Sequence, residues 1–83
     1  MEIKLNCSWN EKMKITAHTA QHSVEMDAKS PIGTDTAMTP KELVATGLGG
    51  CTAMDVIALL KKHKQPLESL QVDVDIETSK GSH

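Results

Sequence analysis

The stretch from Thr39 to Lys64 constrains this chain most, because it reads as one long helix although Gly47, Gly49 and Gly50 lie inside it. Three signals mark its start. Thr39 offers a capping hydroxyl, Pro40 falls at the first helical position, where a missing N–H is harmless, and Glu42 is placed to complete a capping box. Its end is marked by Lys61, Lys62, His63 and Lys64, which complement the negative end of the helix dipole, and by Pro66 just beyond. At about 1 kcal/mol each relative to alanine, the three glycines cost on the order of 3 kcal/mol in helix propensity, so something must compensate. Two readings stay open. In one, the missing Cβ atoms let another backbone, such as a second helix, pack closely along a stripe that Ala45, Cys51, Ala53 and Ala58 continue. In the other, the glycines break the helix and leave Cys51 at the start of a new segment, where the dipole favours a thiolate.

Around this segment the pattern is that of a small α+β domain. From Glu2 to Trp9 the residues alternate, with Ile3, Leu5, Cys7 and Trp9 on one face, which is the period of a half-buried strand and points Cys7 inward. A turn at Asn10-Glu11-Lys12 leads to Met13, Ile15 and Ala17, and a second turn near Gln21-His22 leads to Val24 and Met26, so three strands form an antiparallel meander. The connection from Ala28 to Met38, with Ser30-Pro31-Ile32-Gly33, is aperiodic. After the helix, Leu70, Val72, Val74 and Ile76 alternate with Gln71, Asp73, Asp75 and Glu77, which predicts a fourth strand and the order βββαβ. Ser79 to His83 is a polar tail with no assigned role.

The chain of 83 residues is expected to be one domain, and at that size a single core is marginal, which favours a homodimer. Phe and Tyr are absent, Trp9 is the only aromatic residue and the net charge is −2, a composition that excludes base-stacking platforms and argues against a nucleic-acid partner. All nine cationic side chains are lysines, so no arginine can grip a carboxylate or phosphate bidentately. Unbroken apolar runs are short and the N-terminal residues lack a signal-peptide pattern, giving the expectation of a cytoplasmic protein with no membrane partner.

Cys7 and Cys51 fit neither a disulfide framework nor a zinc cluster. Cys51 is either a reactive thiol or a small buried hydrophobe. Asp55 lies one helical turn after it, where an ionised carboxylate opposes thiolate formation, so its expected role is hydrogen bonding or plain solvation. His18 and His22 flank a turn with no third ligand in reach, and no metal is expected. Gly47-Leu48-Gly49-Gly50 falls well after the helix cap with no following Lys-Ser or Lys-Thr, so it is not a phosphate loop, and no cofactor is expected.

The run from Thr39 to Val56, TPKELVATGLGGCTAMDV, resembles the signature helix of the OsmC/Ohr family, the osmotically inducible and organic hydroperoxide resistance proteins, in particular its YhfA-like branch. The order of elements on either side follows the same family. The resemblance implies an intertwined homodimer with the two long helices buried side by side, and a thiol that reduces organic hydroperoxides or hydrogen peroxide at the expense of a thiol or dithiol reductant. Cys51 is then the peroxide-attacking residue. Cys7 is not the equivalent of the family's resolving cysteine and is a candidate surrogate resolving thiol only if the two Cα atoms come within about 7 Å, and Glu42 and Asp55 are candidate supporting polar groups. Three departures accompany the resemblance. The family's resolving cysteine lies in a C-terminal portion that this chain is expected to lack. The hydroperoxide-resistance branch has a glutamate directly after the helix-start proline, where this chain has Lys41 with Glu42 one place later, and it has an arginine in its N-terminal region. The short chain is expected to leave one helix face uncovered. The rival expectation is a non-catalytic, truncated scaffold that acts as a dimeric interaction module.

Overall fold

The computed structural model describes residues 1–77. They comprise three strands, β1 (Asn6–Glu11), β2 (Lys14–His18) and β3 (Ser23–Met26), and one helix, α1 (Pro40–Lys62). The chain divides into two compact units, Met1–Pro40 and Lys41–His83, each taken by itself below. The tail from Ser79 lies outside the described residues.

In the first unit the strands form the expected meander, ordered β1-β2-β3 with both pairs antiparallel. The register opposes Cys7 to Ala17 and Val24 in one row, and Trp9 to Ile15 and Met26 in the next, so the alternating apolar residues share one face as the period-2 pattern requires. β1 begins later than the alternation suggested. Asn6 already faces His18, the last residue of β2, so residues 2–5 have no strand to pair with. The first turn lies at Lys12 and Met13, with Lys12 in the left-handed region at φ 52°. A bulge between Trp9 and Glu11 precedes it, and the Trp9 indole N–H donates to the Lys12 carbonyl at 2.8 Å. The second turn is closed by Thr19, whose amide donates to the His22 carbonyl at 2.8 Å and whose hydroxyl oxygen accepts from the His22 amide at 3.0 Å.

In the second unit the helix matches its predicted span to within two residues at the C-terminal end. Its end is a Schellman arrangement: Gln65 N–H donates to Leu60 C=O at 2.8 Å, Lys64 N–H to Lys61 C=O at 3.1 Å, and Lys64 takes the left-handed conformation at φ 55°. Lys61 and Lys62 occupy the last turn, as the dipole favours. The helix runs unbroken through Gly47, Gly49 and Gly50, which removes the reading in which the glycines restart it at Cys51. The three glycines then separate. A Cβ on Gly49 would sit 3.1 Å from Val74 Cγ2, so Gly49 is a close-approach position, whereas a Cβ on Gly47 or Gly50 would meet nothing within 4 Å.

The predicted fourth strand is not formed. Residues 71–77 take no strand hydrogen bonding, because alternation specifies which side chains share a face but supplies no neighbour to complete a ladder. Val72 and Val74 instead line an open groove of about 480 Å³ with Ala45, Thr46, Gly49, Gly50 and Ala53 of α1. Among the described residues no hydrophobic side chain is fully buried, and Asp27 is the only buried polar one, at 2% exposure. The expectation that Cys7 points into a core is therefore corrected. Cys7 is exposed, because no layer covers the apolar face of this sheet within its own unit.

Candidate functional site

Cys51 lies near the middle of α1, with its thiol exposed. At 3.6 residues per turn, Val44, Gly47, Leu48, Met54, Asp55 and Ala58 fall around it on the same side of the helix. That side is uncovered: Val44 is 64% exposed and Met54 72%. The opposite side, with Ala45, Gly49, Ala53, Val56 and Leu60, is the less exposed one and carries the groove to Val72 and Val74. The small-residue stripe is thus two stripes. One, through Gly49 and Ala53, meets a segment of the same unit. The other, through Gly47, Cys51 and Ala58, faces outward.

The supporting residues fall unequally. Asp55 is one turn from Cys51, with Cβ atoms about 5–6 Å apart by helical geometry. Glu42 is nine residues before Cys51, which places it about 180° around the helix and about 13.5 Å along its axis, so it does not stand beside the thiol of its own chain. Cys7 belongs to β1 in the other unit, opposite Ala17. A mid-helix thiol also lacks the unsatisfied N–H groups that a helix N-terminus would offer. Among the described residues no group of three or more His, Cys, Asp or Glu side chains is arranged to hold a metal ion.

One residue that sequence reasoning passed over is Asp27. Its carboxylate accepts from the Ala28 amide at 2.7 Å, the Thr34 hydroxyl at 2.8 Å, the Thr36 hydroxyl at 2.8 Å and the Thr36 amide at 3.1 Å. Burial alone would raise this carboxyl's pKa, but the hydrogen bonds from Thr36, Thr34 and the two amides outweigh that and hold it well below the usual carboxylate range. The signal was present in the sequence as an Asp followed within ten residues by Gly33, Thr34 and Thr36, the residue types that turn a loop back onto an acceptor.

The helix and the segment after it also decide the family. Residues 33–83 match the OsmC-like protein family, and the chain belongs to it. It is 33% identical over 76 residues to Protein YhfA of Escherichia coli (strain K12), and the same figures hold for Protein YhfA of Escherichia coli O157:H7 and of Shigella flexneri. These alignments cover 90% of this chain and 54% of each relative, so the chain spans about half the length of the curated relatives it matches. By length and composition α1 is apolar enough to cross a bilayer, a test that core helices of soluble proteins also pass, and the OsmC-like family is generally soluble.

Proposed function

We propose that this chain is a thiol-dependent peroxide reductase of the OsmC-like type, acting on organic hydroperoxides or hydrogen peroxide through Cys51. The observation that carries the reading is the placement of an exposed cysteine at the centre of an apolar, uncovered helix face, within the segment that matches the family. In the reaction the Cys51 thiolate attacks the distal peroxide oxygen and the O–O bond breaks. The alkoxide leaves as an alcohol after taking up a proton, and the sulfur, oxidised by two electrons, is left as a sulfenic acid. A second thiol then attacks that sulfur, releases water and forms a disulfide, which a thiol or dithiol reductant reopens. Cys7 serves as that second thiol where a chain can bring it within about 7 Å Cα–Cα of Cys51, and the reductant serves directly where it cannot. Asp55 shares the face of Cys51, and its role there is as a hydrogen-bond acceptor and not as an activator of the thiol. The apolar surround of Val44, Leu48 and Met54 suits an alkyl hydroperoxide. It also suits the paired helix of a homodimer, in which Gly47 and Ala58 admit close approach. A cytoplasmic location fits the two free thiols.

The test is the rate of Cys51 oxidation by an alkyl hydroperoxide across a pH series, with sulfenic acid followed by intact mass. It is run on the wild type, Cys7→Ser and Cys51→Ser. The expected result is oxidation well faster than that of a free cysteine, abolished in Cys51→Ser. A disulfide lost in Cys7→Ser assigns Cys7 as the resolving thiol. Oxidation no faster than that of a simple thiol overturns the enzymatic reading.

A second reading, a non-catalytic dimeric scaffold, is favoured by two observations: the chain has no arginine, and Cys51 sits mid-helix rather than at a helix start. It predicts a stable dimer whose Cys51→Ser variant keeps every measurable property.

A further inference from the structure

We propose that Asp27 is an anionic clasp that orders the loop of residues 28–36 as a local unit, opening and closing independently of the helix. Three observations lead there. First, the loop folds back onto one carboxylate: Oδ1 accepts from the Ala28 amide, and Oδ2 accepts from both threonine hydroxyls and from the Thr36 amide. Second, the backbone bonds of the loop lie within the same enclosure. Gly33 N–H donates to Lys29 C=O at 2.9 Å, Asp35 N–H donates to Ala28 C=O at 3.0 Å, and Asp27 N–H donates to Met38 C=O at 3.1 Å. Gly33 is buried against the clasp, and a Cβ there would lie 2.6 Å from Asp27 Oδ1 and would run into the Ala28 carbonyl.

Third, the apolar side chains at the loop tip are exposed. Ile32 is 62% exposed and Pro31 is exposed, so no side chain of the loop tip packs into a core. The Lys29–Asp35 ion pair, at 3.4 Å, is exposed on both partners and contributes little. A loop held by packing loses order gradually as contacts are trimmed. A loop whose side-chain bonds converge on one carboxylate loses that partner for all four donors at once, leaving only its backbone bonds, and the donors of the exposed Thr34 and Thr36 can then turn to water. The clasp also closes the loop at its far end, since the Asp27 amide secures Met38, two residues before α1 begins.

The experiment is native-state hydrogen exchange on the full chain, read at the Gly33, Asp35 and Thr36 amides, with the Val56 to Leu60 amides of α1 as the internal control. Limited trypsin cleavage after Lys29 is followed in parallel. Wild type is expected to show protected loop amides and slow cleavage. In Asp27→Asn, which keeps the shape but removes the charge and half the acceptor capacity, loop exchange is expected to rise at least tenfold. Cleavage after Lys29 becomes prominent and the α1 amides do not change. Thr36→Val, which removes one hydroxyl donor and keeps the amide, gives a smaller rise confined to the same amides. It carries the test by itself where Asp27→Asn does not fold. Loop amides unprotected in wild type, or unchanged in both variants, overturn the proposal, and so does loss of loop and helix protection together.

Discussion

The loop at Asp27 and the outward face of α1 are opposites in how their interactions are completed. The loop is small and polar, yet each oxygen of its buried carboxylate is satisfied from within ten residues of chain. The helix is long and apolar, yet among the described residues of its own unit Val44, Leu48, Cys51 and Met54 reach no covering layer. Hydrogen bonds over short sequence separation close locally, and a single chain can finish them. Apolar burial needs a second surface, and the described residues of the helical unit supply none for this face. The difference is between a region whose stability is its own and a region whose stability depends on what comes to it.

The largest expected effect that would break this contrast is at Gly33. Gly33→Ala places a Cβ 2.6 Å from Asp27 Oδ1 and 2.7 Å from the Ala28 carbonyl carbon, so backbone must move. A loss of about 1–3 kcal/mol is expected in urea unfolding followed by Trp9 fluorescence. An unchanged midpoint would mean that the loop is not tightly closed.

The acid limb of stability comes next. The Asp27 pKa is lower in the folded loop than in the unfolded chain, so the unfolded state binds more protons as pH falls. The stabilisation is fully present above the unfolded value of about 3.9 and is lost progressively as pH drops from there toward the folded value. Unfolding midpoints measured from pH 6 downward should fall more steeply below about pH 4 in wild type than in Asp27→Asn, with the two curves converging in acid.

Gly47→Ala sharpens the helix side of the comparison. In the single chain the new Cβ meets nothing within 4 Å, so helix propensity should rise by about 1 kcal/mol. If the outward face is a helix pairing surface, the same methyl obstructs it. The expected outcome is more helix by circular dichroism with a weaker dimer by sedimentation, and a dimer unaffected by the change would separate Gly47 from the interface.

The smallest effect concerns the helix end. Lys64 holds a left-handed conformation that glycine adopts without steric cost, and Lys64→Gly should raise thermal stability by the equivalent of about 0.5 kcal/mol.

Much of the fold was legible because its signals are local. Thr39-Pro40 and the terminal lysines bounded the helix, and the alternation of Cys7, Trp9, Ile15, Ala17, Val24 and Met26 gave the meander its faces. The strand start at Asn6 was not legible, since it depends on where β2 ends, and neither was the fate of residues 71–77, whose alternation names no partner. Of the candidate site, Cys51 was singled out by the family resemblance, and helical spacing placed Asp55 one turn after it. The separation of Glu42 from Cys51 also follows from that spacing, once the helix is known to be continuous through its glycines.

The sequence alone therefore determined the helix, its bounds, the strand faces and the family, because each rests on residues within a few turns or one hairpin of one another. Only the tertiary structure decided that Gly49 is a contact glycine while Gly47 is open, that Cys7 is exposed, and that the Asp27 side chain is buried. Those outcomes depend on which surfaces come together, and a period or a motif does not contain that information.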